Sequence, residues 1–279
     1  MVNDLLNARS CGVAAAVGGQ SQRRMRAWAQ KYPGLYDKPE FDPALFGTLA
    51  QATAFSGPWY DADQLTAANK TCLWAFGLDW LVDYQAQSEE EVGALLARVA
   101  SVADGAEPED ELTAFLAELR DDLPPDPALR AIWREELRDM LDGMALEWRW
   151  KSRGPRPSFE EYLDNADNLG FAFVFFAHWI ANGASGELAE VRKASRAVQQ
   201  VIRLLNDLGT YERDLQWGDL NALLLGVDRP TVERKVAELS AEAVRLLEPL
   251  PPEHGGYMRR QMEFCGGFYG VTDYWGVEF

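Results

Sequence analysis

"RLLNDLGTYERD", residues 203–214, is the stretch on which the fold turns. It has the pattern of a helix interior, yet Asn206, Thr210 and Asp214 fall four residues apart. That spacing stacks an amide, a hydroxyl and a carboxylate on one helix face. Val201, Leu204, Leu208, Tyr211 and Leu215 form an apolar stripe, which Val198, Ile202 and Leu205 widen. The polar remainder is a narrow strip of Arg203, Asn206, Thr210, Arg213 and Asp214. Such a strip suits solvent or a polar cavity, and periodicity alone leaves both readings open.

A second stretch, "CLWAFGLDWLVDYQ" at 72–85, raises the same question. From Cys72 to Val82 its only charged residue is Asp79. A helix that is apolar on every side is buried. The stripe Leu65, Asn69, Cys72, Phe76 runs on into Asp79 and Asp83 with the same spacing. An unpaired buried carboxylate is costly, so it neutralises or finds a cation. The alternatives are a salt bridge to a core arginine, or a helix end where Asp83 meets water.

The rest of the chain is helical in pattern as well. Helices are predicted at about 20–31, 42–55, 61–86, 88–103, 109–121, 126–151, 158–181, 186–217, 229–248 and 254–275. Ser88 with Glu91, and Ser158 with Glu161, have the capping-box arrangement, and Pro230 suits a first turn. "GDLNALLLG", 218–226, joins two long helices as a turn or short helix. The breaks "GAEPEDE", "LPPDP", "SRGPRP" and "PLPPEHGG" are too short for domain linkers. No fixed-period repeat and no strand-like alternation is present. The expectation is a single all-α domain over 1–279, with the segment to about residue 40 the least patterned.

Composition narrows the chemistry. The chain has 279 residues, 47% of them hydrophobic, enough for a sizeable core. Lys and Arg number 27 against 44 Asp and Glu, a net charge of −17. That balance speaks against non-specific nucleic-acid binding, which rests on phosphate neutralisation. An anionic ligand would need local positive charge or metal ions. Cys11, Cys72 and Cys265 lie far apart without a CxxC, which points to a reducing, cytoplasmic setting rather than disulfides or zinc. His178 and His254 are too few for a histidine metal centre. The N-terminus lacks a basic lead and Arg9 interrupts it, so no signal peptide is read. No apolar run reaches the roughly 18 residues of a membrane span.

Both polar sites offer only hard oxygen donors. That set suits Mg²⁺ or Mn²⁺ rather than zinc or copper. Mg²⁺ is usually shared between a few carboxylates and substrate phosphates. Arg203 and Arg213 flank the ladder and can give charge-assisted hydrogen bonds to phosphate oxygens. The physical hypothesis is a diphosphate clamped by magnesium between two helices. Aromatic residues supply a lining for the space beneath it: Trp74, Phe76, Trp80, Trp148, Phe171, Phe173, Phe175, Phe176, Trp179, Tyr269, Tyr274 and Trp275. Each could equally be ordinary core packing. An aromatic wall can also stabilise a carbocation through its π faces.

These residues resemble a family. "NDLGTYERD" is similar to the N-D-x-x-[S/T]-x-x-x-[E/D] metal motif of class I terpene synthases, and "DWLVD" resembles their first aspartate-rich motif. "RPSFEEYL" and "GDLNALL" resemble two further family segments, and the likeness covers about residues 55–279. It implies an all-α terpenoid-synthase helical bundle around an apolar cavity, with three Mg²⁺ ions and Mn²⁺ as a substitute. By the resemblance Asp79 and Asp83 bind metal from one helix, and Asn206, Thr210 and Asp214 from the other. Arg213 and Arg203 would contact diphosphate. Gly170 falls where the family breaks a helix and turns a carbonyl toward the cation. Phe76, Trp80, Trp148, Phe171, Phe175, Trp179, Tyr269 and Trp275 would line the cavity. Two departures stand out: Trp80 replaces the second aspartate of the usual D-D-x-x-D, and Ala166 holds the place of a diphosphate-sensing arginine. Arg149, Arg153 or Arg203 would have to substitute.

The resulting expectation is a bacterial class I diterpene synthase of the labdane-related type. It would ionise a copalyl-type bicyclic diphosphate, or another prenyl diphosphate, made with a class II diterpene cyclase as functional partner. Cyclisation would end in deprotonation or water capture. Alternatives are a cyclase acting directly on geranylgeranyl or farnesyl diphosphate, a squalene/phytoene-type condensing enzyme, and a non-catalytic helical protein. No nucleic acid and no membrane span are expected, and a homodimer is compatible with the sequence.

Overall fold

Local capping chemistry starts most of the helices. The computed structural model describes residues 8–276, apart from the side chain of Arg153. Asp42 caps α3 (Pro43–Ser56), Ser88 caps α5 (Glu89–Ala103) and Asp126 caps α7 (Pro127–Arg153), each accepting a backbone N–H of the first turn. Ser158 and Glu161 form the full reciprocal box at α8 (Phe159–Asp164). At Ser88 the box is incomplete, because Glu91 accepts from the N–H of Gln87 instead. Asp110 and Thr113 build a box at α6 (Glu111–Asp122), and Asp228 caps α11 (Arg229–Leu247) with Pro230 in its first turn. The remaining helices are α1 (Ala8–Ala29), α2 (Pro33–Tyr36), α4 (Thr66–Trp80), α9 (Phe171–Ala181), α10 (Leu188–Trp217) and α12 (Pro252–Phe268). No strand occurs among the described residues. No helix there is long and apolar enough to cross a membrane.

Four elements differ from the periodic expectation, and the last of them, the helix expected over 254–275, ends at Phe268. The first helix begins twelve residues earlier than about residue 20, at Ala8. Apart from Met25, its buried face is made of small residues, Ala14, Gly18, Ser21 and Ala29, which let it lie close on α3 but give little apolar signal. The helix expected through 61–86 starts at Thr66 and changes to a π-helical turn, Leu81–Gln85, closed by the bond from Ala86 N–H to the Leu81 carbonyl. Such turns are often found at functional sites. The helix expected over 158–181 is cut in two by a 3₁₀ turn, Ala166–Leu169, and by Gly170 at φ 73°. The left-handed φ favours glycine there, and a Cβ would also displace the end of the Met140 side chain, whose sulfur would lie 2.9 Å away.

One contiguous hydrophobic core runs from Met25 to Tyr269. A smaller cluster of Tyr162, Leu163, Leu204, Ala222 and Val232 ties α8 and α10 to the loop after α10 and to α11. Within the core, α3, α4, α7, α9, α10 and α12 leave a central cavity of about 220 Å³.

Candidate active site

The polar strip of α10 faces inward. Thr210 is fully buried and Asp214 is 3% exposed, whereas Leu215, on the competing stripe, is 54% exposed. Asn206 and Asp214 line the cavity. Thr210 sits behind them, its hydroxyl 2.6 Å from Asp214 Oδ2 and 2.9 Å from the Asn206 carbonyl. Asp214 Oδ2 also accepts from Asn221 Nδ2 at 2.9 Å, and Oδ1 accepts from Arg213 Nη2 at 2.9 Å. Burial pushes the Asp214 carboxyl up, while Arg213, Asn221 and Thr210 draw it down. Arg213 continues to Asp273 at 3.2 Å and lies over the Trp217 ring. The C-terminal segment can reach this helix because Gly209 has no side chain. A Cβ there would come within 2.7 Å of the Tyr269 carbonyl oxygen.

The opposing wall is built by α4 and the π turn. Cys72, Phe76, Asp79 and Asp83 all border the cavity, as their shared stripe requires. Asp79 makes no ion pair among the described residues. Burial, then the neighbouring carboxylates of Asp83 and Asp219, hold its carboxyl well above the usual range, against the opposing pull of Arg213. Asp83 is the salt-bridged one: Lys151 Nζ lies 3.0 Å from its Oδ1 and also grips Asp219. Burial raises the Asp83 carboxyl and Lys151 opposes that rise. One turn earlier on α7, the Trp148 indole donates to the Val82 carbonyl at 3.1 Å. Helix α7 therefore holds the π turn at two adjacent residues.

Arg203, expected to contact diphosphate, has its guanidinium committed to the protein. It donates to Glu147 at 2.9 Å, to the Tyr162 hydroxyl at 2.9 Å and to Asn168. It borders the cavity but is 4% exposed, so its role there runs through Glu147 and Asn168, which also line the wall. Tyr162, from the "RPSFEEYL" segment, passes its hydroxyl proton toward Asp207 at 2.8 Å. Burial lifts Asp207 to about 7, against the pull of Arg203. Of the other substitutes considered for the missing arginine, Arg149 is exposed, and the Arg153 side chain lies outside the description. Ala166 is buried, at 3% exposure.

The expected lining divides into two groups. Phe76, Phe171, Phe175, Tyr269 and Trp275 are on the cavity wall, with Gly170 among them. Trp80, Trp148 and Trp179 are not. Trp80 stacks on Tyr84 at 4.7 Å, Trp148 is spent on Val82, and Trp179 packs on Phe176 and donates to the Ser185 carbonyl. Sequence reasoning did not single out Lys151, Asp219, Glu147, Asn168, Asp207 or Asn221. Asp207 lies in "NDLGTYERD", and Asp219 and Asn221 lie in "GDLNALL", but the resemblance carries no role for any of the three.

The donors fit divalent metal ions. Carboxylates and an amide meet at one mouth with the Thr210 hydroxyl behind them, and the carboxylates of Asp79, Asp83, Asp214 and Asp219 exceed the two cations Lys151 and Arg213. Among the described residues no three histidine, cysteine or carboxylate side chains form a closed metal cluster. Ions held here would share their coordination with a ligand, as Mg²⁺ does with phosphates.

Comparison with known proteins agrees. The model of terpene synthase family 2, C-terminal metal binding, matches residues 70–238, which include both polar walls. The chain belongs to this terpene synthase family. It is a bacterial class I terpene synthase, an enzyme of a family that acts on prenyl diphosphates and uses divalent metal. Among its relatives is an ent-pimara-9(11),15-diene synthase of Streptomyces sp. (strain KO-3988), 27% identical over 91% of each chain. Another is a (12E)-labda-8(17),12,14-triene synthase of Streptomyces cyslabdanicus, 25% identical over 75% of this chain and 67% of the relative. The linalool/nerolidol synthase of Streptomyces clavuligerus shares the fold, with a TM-score of 0.70 at 16% identity over 91% and 95% of the two chains.

Proposed function

We propose that this synthase ionises an allylic C20 diphosphate, with a copalyl-type bicyclic diphosphate preferred over geranylgeranyl or farnesyl diphosphate. The observation that carries the proposal is the pairing of Asp79 with Asn206 and Asp214 on opposite walls of one cavity whose lining also includes a set of apolar and aromatic side chains. Asp79, Asn206, Thr210 and Asp214 would hold Mg²⁺, three ions in all, with Mn²⁺ able to replace it. Bound there, the ions supply Lewis acidity to the leaving diphosphate. Arg213 keeps positive charge at the cavity mouth. Its pairs with Asp214 and Asp273 fix the guanidinium before any ligand arrives, which favours preorganised charge stabilisation.

After the C–O bond breaks, the wall of Phe76, Phe171, Phe175, Tyr269 and Trp275 shields the carbocation from water and offers it π faces. Gly170, at the bend, leaves the 3₁₀ turn's backbone beside the cavity rather than a side chain. Cyclisation then ends in deprotonation or water capture.

Two features support the bicyclic substrate. The relatives above are named for pimaradiene and labdatriene hydrocarbons, and a labdane skeleton is itself bicyclic. Ala166 offers no guanidinium to the head group, and a preformed bicycle loses less conformational entropy on binding than a linear chain. Its supply would require a separate class II cyclase. The test is a competition between copalyl-type and geranylgeranyl diphosphates at equal concentration and saturating Mg²⁺, read by mass spectrometry. The proposal expects the bicyclic substrate to be consumed first. Efficient cyclisation of geranylgeranyl diphosphate with copalyl-type isomers untouched would overturn it.

A further inference from the structure

Two aspartates reach the cavity from the α4 wall, but they are not equivalent. Asp83 is held by the Lys151 ammonium at 3.0 Å, and the same ammonium holds Asp219 on the loop after α10. The three side chains are 28%, 16% and 19% exposed, so the bridge is largely shielded from solvent and salt. Lys151 cannot easily leave. Its neighbour one turn back, Trp148, is fastened to Val82, and the π turn fixes Asp83 next to it. Asp79, four residues before Asp83, has no such partner among the described residues.

From this geometry we infer that Lys151 is a positioning residue that reserves Asp83 and Asp219 for itself, leaving Asp79 as the carboxylate of the α4 wall that binds metal. This rests on the proposed metal-dependent reading of the site. The physical reason is competition for the same oxygens. A divalent ion on Asp83 would sit within a few ångströms of a fixed ammonium, and like charges that close repel strongly where water is scarce. The bridge also joins the π turn to the loop that carries Asn221, which in turn holds Asp214. Lys151 itself does not line the cavity.

The test is Mn²⁺ binding to the full chain in the presence of inorganic diphosphate, followed by electron paramagnetic resonance, with thermal melting of every variant. Asp79→Asn is expected to weaken Mn²⁺ binding at least about tenfold, and Asp83→Asn less than about threefold. Lys151→Met frees two carboxylates and is expected to tighten Mn²⁺ binding or add one bound ion. Lys151→Arg, which keeps the charge, is expected to match the wild type and guards against misfolding of the Met variant. Equal losses in Asp79→Asn and Asp83→Asn would overturn the inference, as would Mn²⁺ binding unchanged or weakened in a folded Lys151→Met. Absence of Mn²⁺ uptake by the wild type would instead sink the metal reading itself, and this inference with it.

Discussion

The two polar walls of the cavity balance their charge in different ways. On α10, the ladder is wired before any ligand arrives. Asp214 is held by Arg213, Thr210 and Asn221, and Arg213 passes the charge on to Asp273. On α4, Asp79 stands beside two other carboxylates and has no cation of its own. The first wall is part of the folded scaffold, and removing a member leaves partners stranded. The second is electrostatically unfinished, and removing Asp79 takes away a buried carboxyl that no cation balances. The difference separates groups that hold the protein together from groups that wait for a ligand.

The sharpest way to break this contrast is Asp214→Ala. It strips Thr210 and Asn221 of an acceptor and leaves Arg213 with Asp273 alone. Breaking a buried pair from one side costs about 3–5 kcal/mol, so a large fall in stability should accompany loss of turnover. Urea unfolding beside a diphosphate-release assay reads both, and a variant as stable as the wild type would erase the difference between the walls. Asp79→Ala should separate the two quantities. Turnover is expected to fall on the order of a hundred- to a thousandfold, with stability unchanged or slightly raised, because a desolvated carboxyl with no cation beside it has been removed.

A pH series sharpens the same comparison from the scaffold side. Asp207, beneath the ladder, is raised from the usual carboxylate range to about 7 by burial. A carboxyl raised on folding takes up a proton in the native state. The stability it contributes is complete below the unfolded value near 4 and is lost as pH rises through about 7. Melting temperature should therefore decline between pH 5 and pH 8, and Asp207→Asn should flatten that decline. A decline of the same size in the variant would assign it to other groups. The smallest effect is expected for Thr210→Ser, within about threefold of wild-type turnover, since the hydroxyl that links Asn206 to Asp214 remains. Thr210→Ala removes it and should cost about ten- to a hundredfold, partly rescued by high Mg²⁺. Equal damage from Ser and Ala would make the methyl group, not the oxygen, the part that matters.

What the sequence discloses follows from how local each signal is. The ladder and Asp79 are legible because every member lies on one helix, where spacing alone fixes the face. The helix interiors are legible for the same reason. The long first helix is not, because its contact face is Ala, Gly and Ser except for Met25. The cut within 158–181 shows only through Gly170, since residues on both sides keep a helical pattern. Lys151 escapes altogether: its two partners, Asp83 and Asp219, are each 68 residues away, in opposite directions. Glu147, Asn168 and Arg203 likewise meet only once α7, the 3₁₀ turn and α10 pack. The aromatic residues divide for a subtler reason. Trp148 and Trp179 are as apolar as Phe175, but their indole N–H groups find backbone carbonyls away from the cavity.

The central claim is that the two walls close on one diphosphate through divalent ions, with Asp79 on one side and the ladder on the other. Its most direct test is a crystal grown with MnCl₂ and inorganic diphosphate, measured at the manganese absorption edge. The account predicts anomalous peaks beside Asp79 and beside Asn206, Thr210 and Asp214, with diphosphate oxygens between them and Lys151 still bridging Asp83 and Asp219. Peaks at Asp83 and Asp219 with Lys151 displaced, or diphosphate bound away from the ladder, would contradict it.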